Sequence, residues 1–329
     1  MTDYKDKHGL NVQIVSSDPS DPIIGQVWYN TTTNLLKYKG PAVAGAWSTG
    51  GDLNTGRRLG ASSGGQSTSL VFGGSAVPTS YKSETESYNG SAWTELNDLN
   101  SAKDHTTGFG TQSAAINAGG TNPAVSPGRL AETESWNGTS WTEVNDLNAG
   151  KREMASCGTS SAGLIFGGEQ PTPFTAETES WNGTSWSEVA DLNTARQRPR
   201  GAGTQSAGLC YGGDKSPATT YAGETEQWNG SSWSEVSDLN TARNGMSGGG
   251  LQSSAIGIGG YNGTVRAFTE QYNGTSWSEV ADLSNGRTIG QGSAEVNTTA
   301  IIAGGWGPGF IDNTEEFSTD DGIETISTT

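Results

Sequence analysis

The chain has 329 residues, and 49 of them are glycine, about twice the usual share, which calls for tight turns or crowded backbone. Only 31% of residues are hydrophobic, yet 11 Trp, 9 Tyr and 7 Phe are too many for a disordered polar chain and suit short strands on a Gly-rich background. The 18 Lys and Arg against 35 Asp and Glu leave a formal charge of −17, which argues against a nucleic-acid groove and a polybasic membrane patch.

At the N-terminus, Met1-Thr2-Asp3-Tyr4-Lys5-Asp6-Lys7-His8 lacks the hydrophobic core of an export signal. No apolar run approaches the roughly 18 residues of a membrane span, so neither Sec export nor membrane insertion is expected. Next comes Gly25-Gln26-Val27-Trp28-Tyr29-Asn30-Thr31-Thr32-Thr33-Asn34-Leu35-Leu36-Lys37-Tyr38-Lys39-Gly40, where two β-rich runs flank a Thr/Asn turn and predict a β-hairpin. Residues 1–43 form an extension outside the periodic part of the chain.

From residue 44 to residue 318 the sequence repeats. A Gly-Gly pair ends a short apolar run at Gly73-Gly74, Gly119-Gly120, Gly167-Gly168, Gly212-Gly213, Gly259-Gly260 and Gly304-Gly305, in steps of 46, 48, 45, 47 and 45 residues. A stretch of variable length follows, then an acidic strand such as Glu84-Thr85-Glu86-Ser87-Tyr88. Five of the six acidic strands end in an aromatic followed by Asn-Gly, as in Trp136-Asn137-Gly138-Thr139-Ser140-Trp141, the strongest short hairpin signal. The return strand carries Trp in every copy, at Trp47, Trp93, Trp141, Trp186, Trp233 and Trp277, and Asp-Leu follows it. A cation comes next each time (Arg57, Lys103, Lys151, Arg196, Arg243 and Arg287) before a Gly- and Ser-rich strand leads back to the apolar run. Each period therefore predicts four antiparallel strands.

This unit resembles the kelch repeat, and the resemblance implies an all-β, six-bladed kelch-like β-propeller. The Trp47 strand precedes any complete repeat, whereas the last copy ends near Phe317 with no Trp after it. The N-terminal strand is thus expected to close the last blade and to leave no long free edge. Residues 319–329 are set apart as a C-terminal tail.

Twenty-two of the 35 acids recur at fixed repeat positions, so they are expected to satisfy backbone groups at strand ends and to pair with the six repeated cations. The fixed Trp positions read as packing between blades. Asn89, Asn137, Asn182, Asn229 and Asn273 match the N-glycosylation sequon but read as hairpin turns. Cys157 and Cys210 fall at different places in the repeat and read as buried thiols. With two histidines, His8 and His105, the chain lacks the residues for a His-rich metal centre, and no metal or cofactor is expected. Kelch propellers resembling galactose oxidase use Tyr, Cys and His copper ligands that these residues do not supply, so an enzyme is not expected.

Recognition is expected where the copies disagree, between the Gly-Gly pair and the acidic strand. Those loops carry Tyr81, Phe174, Tyr221, Tyr261, Trp306 and Phe310, aromatics suited to stacking on sugars or anchoring a protein. Trp306 and Phe310 come first, because Gly307-Pro308-Gly309 between them predicts an exposed, rigid tip.

Residues 25–40 also resemble a segment common in structural proteins of tailed bacteriophages, including tail fibres and appendages of marine and cyanobacterial phages. The resemblance implies a non-enzymatic virion protein, made in the host cytoplasm and carried on the tail or capsid surface. Its extension would dock to other virion proteins through Trp28, Tyr29, Leu35 and Tyr38, while the propeller attaches to a host-surface glycan or protein or decorates the particle. The alternative is a free-standing bacterial lectin-like or protein-adaptor propeller.

Overall fold

The computed structural model describes residues 12–19, 25–39, 45–76, 80–122, 124, 128–170, 174–215, 220–309, 311–319 and 323–326. The chain divides into two compact units, residues 46–318 and residues 1–45 together with 319–329.

Six four-stranded sheets make up the larger unit. The first is Ala61–Gly65, Thr68–Phe72, Thr85–Tyr88 and Trp93–Glu95; the second is Thr107–Gly110, Ala115–Ala118, Thr133–Trp136 and Trp141–Val144. The third and fourth repeat this pattern from Ala155–Thr159 to Trp186–Val189 and from Arg200–Thr204 to Trp233–Val236, and the fifth runs from Ser247–Leu251 to Trp277–Glu279. In the sixth, Gln291–Val296, Thr299–Ala303 and Thr314–Ser318 are completed by Ala46–Thr49, with Phe317 opposite Trp47. This is the closure expected from the sequence, and it joins the two ends of the repeat by main-chain hydrogen bonds. The first strands of neighbouring sheets touch all the way round, so they form the centre and the Trp strands the rim. The architecture is an all-β propeller.

The core lies between sheets. Six buried clusters each draw on two neighbouring sheets; one joins Phe109, Ile116 and Ala118 to Ile165, Trp181 and Trp186. Second strands such as Leu70-Val71-Phe72 are buried because the sheet has a neighbour on each face. The innermost strands show why glycine is so frequent: a Cβ on Gly201 would stand 2.4 Å from the Ser156 carbonyl oxygen of the next sheet. Cys157 and Cys210 are buried free thiols in one such cluster, and burial pushes Cys210 up to about 12.

The smaller unit is a four-stranded sheet. Val27–Asn30 and Leu35–Lys39 form the expected hairpin, with Asn34 left-handed in its turn and the Asn30 side chain accepting from the Thr32 and Thr33 amides. Gln13–Val15 adds in parallel to Val27–Asn30. Ile323–Thr325, from the tail set apart above, pairs with Leu35–Lys39 and completes this sheet. Asp18 accepts hydrogen bonds from Trp28 Nε1 (2.9 Å), Asn30 Nδ2 (2.8 Å) and Lys37 Nζ (2.6 Å). The Lys37 bond, then those from Asn30 and Trp28, hold the Asp18 carboxyl down at about 2. Trp28 is fully buried and its indole N–H is donated to Asp18, which corrects its assignment as a docking residue, since no part of the ring is left exposed.

Candidate functional site

In each sheet one repeated glutamate and one repeated cation serve the scaffold. The glutamate that follows the threonine of each acidic strand is buried against the cation that precedes its own sheet, in the pairs Arg57–Glu86, Lys103–Glu134, Lys151–Glu179, Arg196–Glu226, Arg243–Glu270 and Arg287–Glu315. Five of these glutamates also accept from the main-chain amide and the side chain of an asparagine, such as Asn148 on Glu179 at 3.0 and 2.7 Å. Every rim Trp donates its indole N–H to a threonine of the adjoining sheet, as Trp93 does to Thr314 (2.9 Å) and Trp186 to Thr133 (3.1 Å). The Asn-Gly stations are turns, with the Asn137 side chain accepting from the Thr139 and Ser140 amides at 2.9 Å.

Just past each buried cation the six copies share a backbone and differ in side chain. The residue after the cation bridges to the residue after Gly-Gly: Arg58 to Ser75, Asp104 to Thr121, Arg152 to Glu169, Gln197 to Asp214, Asn244 to Tyr261 and Thr288 to Trp306. The next residue is left-handed every time, at Leu59, His105, Glu153, Arg198, Gly245 and Ile289, with φ between 51° and 60°. Leu59 N–H donates to the Ile289 carbonyl (3.0 Å), Ile289 to Gly245 (2.7 Å), Gly245 to Arg198 (3.3 Å), Arg198 to Glu153 (2.9 Å) and Glu153 to His105 (3.0 Å). The result is a collar around the propeller axis. A left-handed residue other than glycine costs about 1 kcal/mol, and five of the six positions carry that cost.

One arc of the collar is polar. Glu153 accepts from Arg198 Nη2 (2.6 Å) and faces His105 Nε2 at 3.2 Å, while His105 Nδ1 stands 2.7 Å from Asp104 Oδ1. Burial alone would lower Arg198, but the Glu153 carboxylate overrides it and its pKa stands above the usual guanidinium value. The opposite arc, Gly245, Ile289 and Leu59, is apolar. Further along the axis Arg200 reaches across the bore, donating to the Gly248 carbonyl (2.9 and 2.5 Å) and the Gly292 carbonyl (2.5 Å) of the next two sheets. The other first strands carry Ala61, Thr107, Ala155, Ser247 and Gln291 at this station.

Above the collar lies a cavity of about 540 Å³. Tyr81, Tyr221 and Tyr261, three of the loop aromatics singled out in the sequence, line it together. Short pairings after Gly-Gly hold two of them, with Tyr81 opposite Ser75 and Tyr221 opposite Asp214. The Tyr221 and Tyr261 rings meet edge to face at 6.0 Å. Burial raises the Tyr81 and Tyr221 hydroxyls above the usual phenol value. Asp214 is also raised, by burial, although Asn244 Nδ2 donates to its Oδ2 at 2.5 Å. Its Oδ1 has no hydrogen-bond partner among the described residues.

The remaining predicted residues are placed elsewhere. Phe174 is half-buried, bridges to Glu169 and does not line the cavity. Trp306 is half-buried with the Arg58 guanidinium 4.8 Å above its ring, so it packs beside the cavity rather than standing on an exposed tip. Phe310 lies outside the described residues. In the smaller unit Leu35 is exposed at 40%, and Tyr29 and Tyr38 are half-buried. Sequence reading missed the collar and did not single out Asp214, because among the variable loops it looked for aromatics. Their signal is variation in residue type at constant spacing, one and two residues after the repeated cation and one after Gly-Gly.

No protein-family model matches the chain, and no curated protein matches it. Among solved structures, that of YjhT superposes with a TM-score of 0.65 at 13% identity, covering 84% of this chain and 99% of that one. At this identity the likeness shows the propeller fold alone.

Proposed function

We propose that the chain is a non-enzymatic display protein of a tailed-phage particle, whose propeller binds a host-surface ligand at the axial cavity and whose smaller unit docks to another virion protein. The observation that carries the binding half is the meeting of Tyr81, Tyr221 and Tyr261 over one cavity, while the repeated Trp, the buried glutamate of each sheet and the repeated cations are engaged by the scaffold. For the docking half, the sequence of residues 25–40 supplies the resemblance, and the exposed Leu35, Ile14 and Ile326 supply apolar surface on that unit.

Mass spectrometry and electron cryomicroscopy of purified particles test it. The expected result is this chain on the tail or capsid, with Tyr81→Ala and Tyr221→Ala particles assembling normally but attaching poorly to cells. Absence of the chain from particles overturns the virion half; unimpaired attachment by both variants overturns the binding half.

A further inference from the structure

Resting on that reading, we infer that the axial cavity takes the terminal ring of an uncharged sugar, entering end-on, with a ring hydroxyl donated to Asp214 and a face of the pyranose against Tyr221 and Tyr261. The first argument is charge. Arg58 and Arg198 line the cavity against Asp104 and Asp214, and Arg198 is already engaged by Glu153, so the lining favours neither an anion nor a cation. The second is donor and acceptor content. Asp214 is 1% exposed and leaves Oδ1 without a partner among the described residues, a buried acceptor that costs free energy until a donor reaches it. Asn244, fixed to Asp214 Oδ2, shares the same wall, so acceptor and amide stand side by side as neighbouring hydroxyls require. The third is shape. Tyr221 and Tyr261 stand beside Asp214 and Asn244, and Leu59 and Ile289 on the collar add apolar surface, which suits a ring with C–H faces and hydroxyl edges. A sixfold backbone with six different side chains gives the cavity one preferred orientation for such a ring.

The probes are the methyl glycosides of glucose, galactose, mannose and N-acetylglucosamine, with methyl glucuronide and methyl glucosaminide as anionic and cationic counterparts, titrated calorimetrically into the whole chain. At least one neutral glycoside is expected to bind, with its charged counterparts at least about tenfold weaker. Asp214→Asn and Tyr221→Ala are each expected to weaken it at least about tenfold. Thr142→Ala, on an exposed outer strand, should leave binding unchanged. Because an ionised Asp214 accepts the hydroxyl, binding should fall as pH drops through its raised pKa, and Asp214→Asn should flatten that profile. Thermal unfolding of each variant separates lost binding from lost fold, and Tyr221→Ala, half-buried at the cavity rim, keeps the test open if Asp214→Asn unfolds. Binding by none of the neutral probes, equal binding of the charged ones, or indifference to folded Tyr221→Ala overturns the inference. A chain found on particles that binds no neutral sugar breaks this inference alone; a sugar-binding chain absent from particles breaks only the virion reading.

Discussion

The buried stations between sheets and the collar at the axis are both sixfold, yet one is nearly uniform and the other is not. Between sheets, a cation, a glutamate, a threonine and a tryptophan recur because each is clamped by neighbours that recur as well. At the collar the backbone recurs, with a left-handed residue in all six copies, but the side chains run Leu, His, Glu, Arg, Gly and Ile. A side chain packed between two repeats is constrained by both; one that faces a cavity is constrained only by what fills it.

The largest effect should come from breaking a uniform station. Glu226→Ala leaves Arg196, 0% exposed, without its carboxylate, and a loss of about 3–5 kcal/mol is expected by chemical denaturation. Gly74→Ala comes next: φ is +103° and the new Cβ would stand 2.7 Å from the Arg58 carbonyl oxygen, for an expected loss of about 1–3 kcal/mol. Thr133→Val removes the one acceptor that the buried Trp186 indole has among the described residues and should also cost about 1–3 kcal/mol in the same measurement. Thr269→Val should cost less than about 1 kcal/mol, since the Trp47 indole keeps the Ala281 carbonyl at 2.9 Å. The collar should respond least. Leu59→Gly relieves a left-handed Leu while losing a half-buried side chain, and stability should move by less than about 1 kcal/mol. A collar substitution as damaging as Glu226→Ala would show that the collar is scaffold, and the comparison would fail.

Much of the larger unit was legible because its signals are local or periodic. Asn-Gly between aromatics dictates a hairpin, a Trp47 strand without its repeat dictates closure by the chain's start, and six repeated cations among 22 repeated acids anticipate ion pairs without saying which acids form them. The candidate site was legible only in part. Tyr81, Tyr221 and Tyr261 stood out as aromatics in variable loops, but so did Phe174 and Trp306, and no local rule separates those that reach the axis from those that do not. Trp28 is the same lesson in the smaller unit: an aromatic in a hairpin reads as surface until Asp18, ten residues earlier, is found beneath it.

Sequence by itself determined the strands and their number per repeat, because period and turn chemistry act over short stretches of chain. Only the tertiary structure decided which residues meet at the axis. Leu59, His105, Glu153, Arg198, Gly245 and Ile289 are about one repeat apart in the chain and become neighbours only when the six sheets close. The tail's strand beside Leu35–Lys39 and the hydrogen bond from Asn244 to Asp214 are likewise products of the fold, since each joins groups far apart in sequence that only tertiary structure brings within hydrogen-bonding reach.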